Sequence, residues 1–161
     1  MKRVNIGEPE FDYDDEDPPG FRSGMFRPRK ELGPTRTGLS VYEIPAGEIL
    51  CPYHYEYGEE EWLLVLQGEA TVRVPSGEEK MGPWDLTCFP LGPEGAHEVR
   101  NDTDRTVRVL MFSNVELPAI TVYPDSDKIG AWTGNDDDDV LVHKASKVDY
   151  YSGEPRARDQ G

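Results

Sequence analysis

The feature that most constrains this chain is a succession of short apolar segments, each closed by turn-forming residues. Segments 38–44, 62–67, 70–74, 84–89, 96–100 and 106–113 are rich in Val, Leu, Thr and aromatic residues. Between them lie Pro45-Ala46-Gly47, Gln67-Gly68-Glu69, Pro75-Ser76-Gly77, Gly82-Pro83, Gly92-Pro93 and Asn101-Asp102. Thr71-Val72-Arg73-Val74 and Thr106-Val107-Arg108-Val109 alternate polar and apolar, the period of a strand with one face in a core. No stretch carries a convincing 3.6-residue period. Glycine and proline number 16 and 14 of 161 residues, which suits many short strands rather than long helices. The pattern predicts an all-β fold, an antiparallel sandwich or small barrel over residues 37–114, with further edge strands at 120–123 and 140–143.

The flanks read differently. Residues 8–17 hold seven acids and no base, and residues 22–36 then hold Arg22, Arg27, Arg29, Lys30 and Arg36. Residues 1–36 are therefore expected to form an arm, acidic then basic, since blocks of like charge resist burial. The arm is either solvated or folded across a neighbouring subunit, with Phe11, Tyr13, Phe21 and Phe26 as anchors. Residues 115–161 form a C-terminal extension without a chemical motif, and Asp136-Asp137-Asp138-Asp139 within it reads as a solvated loop, because the spacing and glycine of a calcium loop are missing.

Charge and composition exclude several classes. Seventeen basic against 32 acidic residues give a net charge of −15, which argues against nucleic acid or an anionic membrane as partner. No helix-turn-helix segment precedes the patterned region. No run approaches 18 apolar residues and no apolar segment follows the first residues, so the expectation is a cytoplasmic protein without a membrane span or signal peptide. Cys51 and Cys88 are too few for a disulfide framework. An acidic surface of this kind stays hydrated in high salt, which makes a salt-loving source one expectation.

The chemistry points to the histidines. The chain has three, His54, His97 and His143. On an extended strand, positions 54 and 56 share a face, so His54 and the Glu56 carboxylate converge. Glu61 stands at the entry of the apolar run 62–66, where a buried carboxylate is costly unless a cation meets it. His97 opens the strand that follows Pro90-Leu91-Gly92-Pro93-Glu94-Gly95-Ala96. Two imidazoles with one or two carboxylates suit a divalent transition metal such as Mn, Fe, Ni or Zn.

Two segments resemble the motifs of the cupin superfamily. His54, Glu61 and Gly68 fall on the first motif, with four residues between position 56 and Glu61 and six between Glu61 and Gly68. Pro90, Gly92, His97 and Asn101 fill the second. The resemblance covers about residues 38–113. It implies a jelly-roll barrel, the double-stranded β-helix, with metal ligands His54, Glu56, Glu61 and His97. Three departures stand out. Glu56 occupies the place of a second histidine, four residues rather than two separate Gly92 from His97, and Trp84 replaces a glycine before Asp85. A carboxylate in place of imidazole hardens the site.

Around this constellation, Tyr53, Tyr55, Tyr57, Trp62, Trp84 and Phe89 are expected mainly to fill the core, and some could line the mouth of a pocket. Cys51 and Cys88 read as small buried hydrophobes. Arg73, Arg100, Arg105 and Arg108 are expected mostly to face outward, although any could clamp a carboxylate substrate. The resemblance implies a metal-binding protein for a small polar metabolite, an isomerase or a dioxygenase with Glu56 as ligand or general base. The alternative is a non-catalytic ligand-binding or scaffold cupin whose metal site has degraded. Tails of small cupins often build dimer interfaces, which implies a homodimer.

Overall fold

The structure, a computed structural model, describes residues 1–155. Among these residues thirteen strands carry the fold, and every pairing between them is antiparallel. The first sheet contains β1 (Asp12–Tyr13), β2 (Gly24–Phe26), β3 (Thr37–Ile44), β10 (Val107–Asn114), β5 (Glu61–Gln67) and β8 (Leu86–Phe89), in that spatial order. A second sheet runs β13 (Val140–His143), β12 (Lys128–Trp132), β11 (Ala119–Tyr123), β4 (Tyr55–Tyr57). The third is β7 (Gly77–Met81), β6 (Ala70–Val74), β9 (Glu98–Arg100). One helical turn, α1 (Arg29–Leu32), interrupts the arm before β3. The expected all-β jelly roll is what the chain adopts.

Alternation builds the core. Ile44, Leu63, Val65, Ala70, Val72, Val99, Val107 and Val109 are almost wholly buried in one cluster, which draws on the first and third sheets and closes the barrel between them. On β5 the inward positions are Leu63 and Val65. The two-residue period then turns Glu61 towards the same interior, so the fold buries a carboxylate at the end of an apolar strand.

Turns supply the closure. Gly68 has φ +79°, and a Cβ there would stand 2.9 Å from Val107 Cγ2. The second motif is tighter still. A Cβ on Gly95 would fall 1.7 Å from the Pro90 carbonyl oxygen, and a 3-10 turn at Pro93–Gly95 takes up the extra residues before His97. Asn101 is buried and fully bonded: its amide donates to the carbonyls of Ile44 and Arg105, and its oxygen accepts from Thr103 N and Oγ1.

Much of the N-terminal arm is exposed. It pairs with its own barrel, β1 on β2 and β2 on β3. Tyr13 donates to Glu43 Oε1 at 2.8 Å, while the Arg108 guanidinium sits 5.2 Å from the Phe11 ring. Phe11 and Tyr13 thus make contacts within the chain. Five strands, β1, β2, β4, β7 and β12, stand where no segment was marked in the sequence. β7 explains the difficulty: Gly77–Lys80 are all exposed, so it lies on the barrel without an apolar face to betray it. The C-terminal extension supplies β11, β12 and β13 as far as it is described, residues 156–161 lying outside. Among the described residues no helix is long and apolar enough to cross a membrane.

Candidate metal centre

His54 and His97 are brought together by their backbones. His54 N donates to His97 O at 3.0 Å, and His97 N donates to His54 O at 2.8 Å, an isolated antiparallel bridge. The two rings lie 4.6 Å apart. Each Nδ1 is tied to a nearby carbonyl, that of His54 to Pro52 O at 2.8 Å and that of His97 to Gly95 O at 2.9 Å. With Nδ1–H donating, the neutral ring presents the lone pair of Nε2, the tautomer that binds metal.

Both Nε2 atoms face Glu61. Glu61 Oε2 lies 3.6 Å from His54 Nε2 and 3.3 Å from His97 Nε2. Glu56 joins from β4, and ligand atoms of His54, Glu56 and Glu61 lie within 4.8 Å of one another. Glu61 Oε2, His97 Nε2 and Glu56 Oε2 are buried and have no hydrogen-bond partner. All three are acceptors in the neutral-imidazole state, and a cation is what such a convergence lacks. The four residues singled out from the sequence therefore share one place.

Electrostatics separate the two carboxylates. Burial pushes Glu56 upward, and the nearby Glu61 and Glu59 carboxylates add to this, against His54 and a Thr121 hydrogen bond, bringing it to about 7. Burial would raise Glu61 too, but the close imidazoles of His54 and His97 outweigh it and hold Glu61 at about 2. Burial pulls His54 down, yet the nearby Cys51 and Glu61 prevail and lift it to about 11.

Several residues around the site were not legible as functional. Cys51, read as a small hydrophobe, offers Sγ within 4.8 Å of ligand atoms of His54 and His97, three residues before a histidine being the only hint in the sequence. Thr121 Oγ1 lies 3.1 Å from Glu56 Oε1 and accepts from Trp132 Nε1 at 2.9 Å. Tyr123 stacks on His54 with ring centroids 5.9 Å apart. These three come from β11 and β12, in the extension that carried no motif. Phe89 lies flat on His97, 3.7 Å between centroids.

Several of the other aromatic candidates, and three of the arginines, make contacts elsewhere. Trp62 stacks on Phe112, Tyr53 lies under Arg73, and Trp84 is 74% exposed. Arg73 pairs with Asp125 and Glu98, Arg100 with Glu78, Glu98 and Asp102, and Arg108 with Glu43. The cavity next to the site has different arginines. Its volume is about 480 Å³, Glu61 and Glu59 line it from β5 and the turn before it, and Arg27 and Arg29 line it from the arm.

The cupin domain family matches residues 40–113. A protein from Acidithiobacillus ferrooxidans, provisionally named a sugar phosphate isomerase, is similar at 22% identity over 89% of this chain and 91% of its own, with a TM-score of 0.78. A sugar phosphate isomerase from a cupin superfamily, from Silicibacter pomeroyi, is 22% identical over 86% of this chain and 82% of its own, with a TM-score of 0.71. The polyketide cyclase RemF of Streptomyces resistomycificus is 22% identical over 74% and 83%, with a TM-score of 0.59. Among curated proteins none matches this chain in sequence. At these identities the likeness to solved structures is one of fold. The family match runs from β3 into β10, and residues 40–113 of this chain are a cupin domain.

Proposed function

We propose that this chain is a metal-dependent cupin isomerase for a small, polar, anionic metabolite. His54, Glu61 and His97 would hold a divalent transition metal, with Glu56 as a fourth ligand or as the base beside it. The observation that carries the reading is the convergence of buried acceptors without partners, Glu61 Oε2, His97 Nε2 and Glu56 Oε2. The donor set fits Mn, Fe, Ni or Zn, and a Cys51 thiolate would tilt it to the softer members. When bound, the metal supplies Lewis acidity towards a carbonyl or hydroxyl oxygen.

The chain's own residues do the rest. Glu56 Oε2 takes a proton from the carbon beside a carbonyl and returns it to the neighbouring carbon, with a matching proton shift between the two oxygens. One hydroxycarbonyl isomer becomes the other with no net change in atoms or electrons. Thr121 fixes Oε1 while this happens. Phe89 and Tyr123, stacked on the imidazoles, keep the rings in place and water away. Arg27 and Arg29 at the cavity offer guanidinium forks to a phosphate or carboxylate. That similar folds carry the name sugar phosphate isomerase supports phosphorylated hydroxycarbonyls as the first compounds to try.

Elemental analysis of the purified protein and its Glu56→Gln variant tests the centre, with proton exchange of sugar phosphates in heavy water as the readout of chemistry. The expected result is close to one equivalent of metal in both proteins, with carbon-bound deuterium appearing only with the unaltered chain. Metal without exchange across hydroxycarbonyl phosphates would overturn the isomerase in favour of a binding protein. Absence of metal after reconstitution would overturn the centre itself.

A further inference from the structure

We propose that β13 is the interface of a homodimer in which two copies pair antiparallel, edge to edge, about a two-fold axis. The inference is independent of what the metal centre does. It gives the homodimer expected from the sequence a definite surface.

β13 ends the sheet β4, β11, β12, β13, and among the described residues nothing pairs with its outer edge. The strand is Val-Leu-Val-His, with Val140 48%, Leu141 47% and Val142 41% exposed. Successive side chains point to opposite faces, so both faces of the strand are apolar and uncovered. Six of the fifteen large exposed hydrophobic side chains among the described residues fall within 140–151. Monomeric proteins protect such edges with lysine, proline, a bulge or a covering element, and none is present within this strand.

The edge can take a partner strand. Lys144 N donates inward to Asp127 O at 2.9 Å. By alternation along the strand, Val142 and Val140 also turn their backbone groups towards β12, leaving those of Leu141 and His143 directed outward. These are unspent donors and acceptors at hydrogen-bonding spacing.

Charge selects the occupant and its direction. Asp136–Asp139 precede the strand, and His143, Lys144 and Lys147 follow it. An antiparallel pair sets the acidic segment of each copy beside the basic segment of the other. A parallel pair would set four aspartates against four aspartates, which the net charge of −15 makes worse. The arrangement is self-complementary in the way a two-fold interface requires. Directly opposed residues in an antiparallel ladder point both outward or both inward, so the axis passes through Leu141 or Val142 and that residue meets its own copy. Two four-stranded sheets then become one of eight, with a β4 carrying Glu56 at each end.

Sedimentation equilibrium of the full chain tests this. The expected mass is twice 18.2 kDa. Leu141→Lys with Val142→Lys, at exposed positions, should give a monomer with an unchanged circular dichroism spectrum. Single variants Leu141→Cys and Val142→Cys, oxidised under mild conditions, should show a disulfide-linked dimer for one of the two, with the unaltered protein and its Cys51 and Cys88 as control. The cysteine arm stands even if the double lysine variant misfolds. A monomeric native chain, or a dimer that survives both lysines and is crosslinked by neither cysteine, would overturn the proposal.

Discussion

Thr121 holds Glu56 from the neighbouring strand: its hydroxyl lies 3.1 Å from Glu56 Oε1 and is itself fixed by the indole N–H of Trp132 at 2.9 Å. The pair sits in register across β11 and β4. The donor from Trp132 occupies the Thr121 oxygen, so the Thr121 proton is directed to Glu56. One carboxylate oxygen is thereby committed, and Oε2 is left for the site.

Thr121→Val keeps shape and β-branching but removes this hydroxyl. The expected outcome is a loss of about tenfold in kcat for the isomerisation, equivalent to about 1.4 kcal/mol, with metal content unchanged. Steady-state kinetics beside elemental analysis checks it. An equal loss of metal would mean that Thr121 supports the centre as a whole and not the position of Glu56.

Chelation should be visible in stability. A metal bound only by the folded chain adds RT ln(1 + [L]/Kd) to its stability, about 2.7 kcal/mol at a hundredfold excess over Kd. Excess EDTA is therefore expected to lower the melting temperature of the native protein by several degrees. His97→Ala should start lower and respond little, because its Nε2 is one of the buried acceptors without a partner. Differential scanning calorimetry with and without chelator measures both. A native protein indifferent to EDTA, with no metal in it, would oppose the centre.

In the metal-free protein, pH should act through Glu56. Its folded value of about 7 stands above its ordinary 4.5. A raised carboxyl contributes stability that is full below 4.5 and is lost as pH rises through 7. His54, lifted from 6.5 to about 11, loses its contribution at higher pH. Glu61, held at about 2, contributes above 4.5 and loses that only as pH falls towards 2. Between 4.5 and 6.5 the loss thus comes from Glu56, with a share from Glu59, which burial also raises. Metal-free native protein is expected to lose melting temperature across this window, while Glu56→Gln keeps only the shallower slope of Glu59. Equal slopes for the two would remove Glu56 from the account.

Much of the barrel was legible because its signals are local. Alternation marked β6 and β10 and turn residues bounded the segments, while the His54, Glu61 and His97 spacing marked the place where they meet. What lay hidden depends on pairing between distant strands. Thr121 and Tyr123 reach the site because β11 pairs with β4, and nothing in residues 119–123 announces that partner. Cys51 was indistinguishable from a packing residue until the His54–His97 bridge placed it. Arg27 and Arg29 read as part of a charged arm, and only the addition of β2 to β3 carries them to the cavity. β7 has no apolar face to detect, its backbone pairing with β6 and its Glu78 reaching Arg100 of β9.

Trp84 offers a test of the fold apart from the chemistry. It has φ +75°, in the left-handed region where a Cβ is strained, and its side chain is 74% exposed. The turn needs this conformation: Trp84 N donates to Val65 O at 2.8 Å, and Asp85 Oδ2 accepts from Gly82 N at 2.8 Å. Glycine adopts such a φ without penalty, and the left-handed region costs other residues roughly 1–2 kcal/mol, partly offset by glycine's greater freedom when unfolded. The indole contributes little packing in return. Trp84→Gly is therefore expected to stabilise the protein by about 1 kcal/mol, which raises the melting temperature by roughly 2–4 °C in a chain of this size. Calorimetry measures the shift, and bound metal should be unchanged. A destabilised variant would show that the exposed indole is covered in solution, and Trp84 would join β13 as a surface to examine for contacts between copies.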